Sequence, residues 1–153
     1  MNIITCSRLV LFGMLLTGID TAVAQGDADD SADVWSAVER QWDADQKGDR
    51  NWVDRMLVED FSGWDKLAPA PHSKASTKMW DRFDEQRGKP LAHELFPLSI
   101  VVNGDVAIAH YLYTQAFEDN KGEIEMNNGR YTDVLIRTED GWKFLAWHGG
   151  DDE

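Results

Sequence analysis

The sequence predicts an α+β domain with its helices first and a curved antiparallel sheet after them. Three observations predict it. Apolar residues recur at helical spacing from Trp35 to Phe83. From Lys89 onward the period changes to alternation and stays so to the end. Asn103-Gly104 and Asp140-Gly141 then divide the alternating part, and both are strong two-residue hairpin signals. Helices followed by antiparallel strands pack on one face of the sheet.

The first 24 residues read as an export signal rather than as fold. Arg8 precedes an apolar run from Leu9 to Ile19, and Ala22-Val23-Ala24 is a small-residue cleavage pattern. The run is shorter than the roughly 20 residues that cross a bilayer. The mature chain is therefore expected to be periplasmic or secreted, with no membrane attachment after cleavage. Cys6, the single cysteine, lies inside the signal, so neither a disulfide nor a thiolate is expected in what remains.

Residues 25–33 are short and acidic and are expected to form a disordered leader to one domain over 34–150. Asp33 can cap a first helix carrying Trp35, Val38 and Trp42, which ends at Lys47-Gly48. Asp49 can cap a second, with Trp52, Val53, Met56 and Leu57 on one side. Phe61 to Asp65 reads as a short extended piece, and Pro69 and Pro71 make the next stretch a loop. Ser76 is placed to cap a third helix, with Met79, Trp80 and Phe83 inward and an end at Arg87-Gly88. Strands follow over Leu91–Val102, Val106–Phe117, Arg130–Thr138 and Trp142–His148, with Asn128-Gly129 read as a bulge or irregular loop.

The net charge is −13, and removing the signal takes away one residue of each sign. Such a chain repels phosphate backbones and anionic lipid, so nucleic acid is not an expected partner. No glycine-rich phosphate loop, nucleophile elbow or metal-finger spacing is present.

The last hairpin, NNGRYTDVLIRTEDGWKFLAWHGG, carries the most chemistry. Alternation puts Asp133 on the same side as Tyr131 and Leu135, a carboxylate in apolar company. With Lys47-Gly48-Asp49 and Trp64-Asp65, this phrase resembles the nuclear transport factor 2-like superfamily, in its SnoaL-like and ketosteroid isomerase-like branch, over roughly Val34 to Gly150. The resemblance implies a cone whose mouth holds a small apolar organic ligand without a cofactor, and a homodimer through the outer sheet face. Its register places Asp65 at the isomerase's general base, Asp133 at its buried proton-donating carboxyl, and Gln41 where that enzyme has an oxyanion tyrosine.

Setting the strands by their turns gives cone-facing rows of Ile108, His110, Leu112 and Thr114, then Tyr131, Asp133 and Leu135, then Trp142, Phe144, Ala146 and His148. In this reading Asp65, Asp133, His110 and His148 are the candidate catalytic residues. Gln41, Trp64, Ile108, Leu112, Tyr131, Leu135 and Phe144 line the ligand site. Each has a structural alternative: Asp65 as a turn cap or a partner of Lys66, Asp133 held by Arg130 or Arg137, the histidines as hydrogen-bonded wall. His72 and His93 are read as solvated or structural, and Trp35, Trp42, Trp52 and Trp80 as core.

The expected function is a cofactor-independent isomerase, cyclase or dehydratase type of proton transfer on an apolar carbonyl compound. The alternative is a non-catalytic homodimeric binding or assembly module. A third reading joins His110, His148 and Asp133 around a metal for hydrolysis or oxygen chemistry.

Overall fold

The computed structural model describes residues 21–84 and 88–152 of the 153. The expected signal lies mostly outside these residues, and so does the end of the third helix. The elements run α1 (Thr21–Gln46), α2 (Trp52–Met56), β1 (Leu57–Asp65), β2 (His72–Ser73), α3 (Lys74–Asp84), β3 (Gly88–Asn103), β4 (Val106–Asp119), β5 (Ile124–Thr138) and β6 (Gly141–Asp151). One six-stranded sheet has the order β2-β1-β6-β5-β4-β3. It is mixed rather than wholly antiparallel, because β1 returns alongside β6 in parallel. The α+β cone is as expected.

α1 runs through the residues of the expected leader, and Asp33 lies inside the helix rather than capping it. Adding turns to a packed helix costs little once it is nucleated. Asp30 also pairs with Arg137 of β5 at 2.7 Å, and that guanidinium lies 4.4 Å above the Trp142 ring. Gly48 ends the helix with φ +67°, the left-handed conformation expected of a C-terminal glycine. The second helix is a single turn and a half, since Leu57 already belongs to β1.

Ser73, not Ser76, opens α3: its carbonyl accepts from Thr77 and its hydroxyl from the Ser76 amide. Met79 and Trp80 are exposed rather than inward, and the Phe83 side chain lies outside those described. Asn128-Gly129 is neither bulge nor loop, for β4 and β5 pair without interruption through it. Glycine is needed there because a Cβ would stand 2.3 Å from the Gly150 carbonyl oxygen.

The core lies between α1 and the inner sheet face. Val34, Ala37 and Val38 of α1 are buried, as are Ala107 and Ala109 of β4. Small side chains on β4 let the helix approach closely, so the Ala107-Ala109-Tyr111-Tyr113 row faces in. Val106, Ile108, His110 and Leu112 face out. The expected β4 register is therefore off by one residue, which reverses every side chain on the strand. On β5 the expected row is correct: Asp133 and Leu135 are buried inside, with Tyr131 packed against the core.

On β6 the expected row holds only halfway. Val134 pairs with Ala146 and Leu135 with Phe144, leaving Leu145 as an unpaired bulge residue. Before it, Trp142 and Phe144 point in. After it, Trp147 points in among Phe61, Phe144 and Trp52. His148 is turned out.

Candidate functional site

The open end of the cone holds a cavity of about 1390 Å³. Its walls come from α1 (Gln41, Trp42, Asp45), the end of β1 (Asp65), the proline loop and His72, and the inner rows of β4, β5 and β6. Leu135 and Phe144 lie deeper and are fully buried, so they close the cone as core instead of touching a ligand.

Asp133 lies where the packed core gives way to the cavity. It is 1% exposed, and among the described residues its Oδ2 has no hydrogen-bond partner. Neither arginine weighed as its holder reaches it, because Arg130 pairs with Asp152 and Arg137 with Asp30. Burial pushes its pKa up to about 7, against the pull of a hydrogen bond from Tyr111. The Tyr111 hydroxyl in turn accepts from the Trp42 indole at 3.0 Å. Burial, with Asp133 beside it, holds the Tyr111 phenol well above the usual tyrosine range and so neutral.

Two further tyrosines continue the wall. The Tyr131 ring lies 6.2 Å from that of Tyr111 and 5.7 Å from that of Tyr113. Trp42 stands nearly at right angles to Tyr111 and Tyr131, forming a corner. The Tyr131 hydroxyl makes a long 3.4 Å bond to Asp65, and Tyr113 donates to Asp151. His72 Nε2 lies 3.7 Å from the other Asp65 oxygen.

Of the residues expected from sequence, Asp65, Asp133, Tyr131 and Gln41 do meet at one cavity. His110, His148, Trp64, Ile108 and Leu112 do not: all five lie on the outer face. The first three form a cross-strand row there. His110 bonds Thr132 at 2.9 Å, Thr132 pairs with His148, and the His148 ring packs edge-on to Trp64 at 5.7 Å. Because Asp133 is inside and both histidines outside, the three cannot share a metal. Among the described residues no group of three His, Cys, Asp or Glu could hold one.

Trp42, Tyr111, Tyr113, Asp151 and His72 are site residues that the sequence reading missed. The available signal was the pattern Ala107-x-Ala109-x-Tyr111-x-Tyr113, small residues against a helix followed by hydroxyl-bearing aromatics. Position 41 carries no phenol, but Tyr111 brings one to Asp133 from β4.

Solved structures share this architecture at low identity. A ketosteroid isomerase-like protein from Erwinia carotovora atroseptica is 12% identical, with a TM-score of 0.71 over 81% of this chain and 97% of its own. An NTF2-like protein of unknown function in nutrient uptake from Rhodospirillum rubrum is 21% identical, at 0.66 over 78% and 98%. The CaMKII hub of S. rosetta is 18% identical, at 0.66 over 80% and 96%. No curated protein matches. At these identities the likeness shows the fold, which is NTF2-like and ketosteroid isomerase-like. The profile of the calcium/calmodulin dependent protein kinase II association domain matches residues 30–151, most of the chain, and the protein belongs to that family.

Proposed function

We propose that this chain is an exported domain that binds a small organic molecule in its cavity, exchanges a proton with it at Asp133, and assembles through its outer sheet face. The observation that carries the reading is the fully buried carboxyl at the inner end of the cavity, whose Oδ2 has no partner among the described residues. An unsatisfied buried polar atom costs on the order of 1–3 kcal/mol, and such groups with shifted proton affinity concentrate at functional sites. A pKa of about 7 lets Asp133 take or give a proton near neutrality. Protonated, it donates to a carbonyl oxygen; ionised, it accepts from a donor. Asp65, at the mouth, is the second acid–base group. No cofactor is needed for this chemistry, which is that of an isomerase, cyclase or dehydratase type.

The outer face supports the assembly part. Phe96, Val101, Val106, Ile108, Leu112 and Met126 are exposed there as large apolar side chains. A non-catalytic assembly module is the second reading, and this face together with the hub-like relatives favours it.

Native mass spectrometry of the protein taken from its own host distinguishes the two. The expected result is a dimer or larger assembly carrying a co-purifying small molecule that Asp133→Asn releases. An assembly of unliganded mass, with no ligand from a metabolite panel altering the fluorescence of the cavity tryptophans, leaves only the assembly module. Recovery in the cytoplasmic fraction removes the export reading.

A further inference from the structure

Around Asp133 four aromatic donors are already engaged within the protein. The Trp42 indole donates to Tyr111, Tyr111 to Asp133, Tyr131 to Asp65 and Tyr113 to Asp151. The buried Trp147 indole N–H has no partner among the described residues but lies against Gly63 and His72. What these side chains add to the cavity lining is carboxyl oxygen: Asp133 at the inner end, its buried Oδ2 without a partner among the described residues, and the carboxylates of Asp65 and Asp151 toward the mouth. Against these carboxyl oxygens a neutral carbonyl ligand brings another acceptor, and meets a donor only where Asp133 is protonated. A ligand that brings positive charge is complementary to them.

The rest of the wall favours the same class. Trp42, Tyr111, Tyr113 and Tyr131 form an aromatic corner, with Trp42 at 80° to Tyr111 and 75° to Tyr131. These rings pack on one another and also line the cavity, and an aromatic face that meets a ligand attracts a cation, more strongly when water is excluded. Of the basic residues at the rim, Lys47 pairs with Asp43 and Lys89 with Glu118. The −13 net charge of the chain steers cations toward it and anions away.

We propose that the cavity selects an organic cation, an alkylammonium seated in the aromatic corner with Asp133 as its buried counter-ion. This rests on the reading of the cavity as a ligand site and replaces the neutral carbonyl compound as its occupant. The cation holds Asp133 ionised, so binding releases a proton where the free carboxyl is protonated. Affinity therefore rises with pH through the range in which free Asp133 titrates.

Three probes of one size test this on the intact mature protein: choline, its neutral carbon isostere neohexanol, and the anion tert-butylacetate. Titration calorimetry should give choline an affinity at least about tenfold above neohexanol, with no binding of tert-butylacetate. Choline affinity should rise several-fold from about pH 6 to about pH 8, and Asp133→Asn should abolish both the preference and the pH dependence. Should that variant fail to fold, Asp65→Asn at the half-exposed mouth carries the test, with choline weakened several-fold and neohexanol unchanged. Equal affinity for choline and neohexanol, or tighter binding of tert-butylacetate, overturns the cation proposal and leaves the cavity reading standing. Binding of none of the three overturns both.

Discussion

Tyr111 and Asp133, on adjacent strands, share a hydrogen bond at the inner end of the cavity, and Trp42 of α1 completes the chain by donating to the tyrosine. The helix, β4 and β5 are thus joined through one buried polar relay. Its last member, Asp133, lines the cavity, and its buried Oδ2 has no partner among the described residues.

Asp133 costs the protein stability at alkaline pH. Its folded pKa is raised to about 7 from an ordinary 3.8, so between those values the native state holds the proton more tightly than the unfolded chain. Stability from this group is fully present below about pH 4 and is lost as pH rises through about 7, a change on the order of 4 kcal/mol. Asp133→Asn is expected to unfold at a higher temperature than wild type near pH 8, with the difference shrinking as pH falls and vanishing below about pH 4. Thermal melts of both proteins across this range are the measurement, and parallel curves contradict the assignment.

Tyr111→Phe leaves Trp42 without its acceptor and Asp133 without its donor. A loss of about 1–3 kcal/mol in urea denaturation is expected, since both stranded groups are buried. The same substitution removes the bond that holds the Asp133 pKa down, so the carboxyl should titrate at higher pH in carbon-detected NMR.

His110→Ala and His148→Ala should leave ligand affinity unchanged, because both side chains lie on the face opposite the cavity. Asp65→Asn, by contrast, should weaken binding, since its carboxylate lines the mouth. A calorimetric comparison of the three variants checks the inner and outer assignment directly.

Ile108→Asp with Val101→Asp places two charges on paired positions of the outer face. Dissociation to a monomer is expected by light scattering, with an unchanged circular dichroism spectrum, because both side chains are exposed in the isolated chain. A retained dimer moves the interface elsewhere.

Gly149→Ala should be among the most damaging small substitutions. A Cβ at this position would stand 2.1 Å from the Arg130 carbonyl oxygen and 2.8 Å from the Tyr131 Cα, both backbone. Gly149 sits between β1 and β5, paired with Asp65 on one side and Tyr131 on the other. Strain there should cost about 1–3 kcal/mol or more and loosen both site residues. Equilibrium unfolding measures it.

The change of hydrophobic period at Lys89 and the glycine turns at Gly104 and Gly141 determined the α+β class and the hairpin order from sequence alone, because local backbone chemistry acts over a few residues. The same locality made Asp133 legible, since only β5 needed to alternate for it to share a face with Tyr131 and Leu135. The histidines were not legible. On β4 both alternating rows are apolar, and α1 packing against Ala107 and Ala109 decides which one turns inward. On β6 the unpaired Leu145 flips the second half of the strand, so Trp147 goes in and His148 goes out. Those choices are made by contacts between segments far apart in the chain. They are what gave Asp133 three tyrosines and a tryptophan for company instead of two histidines.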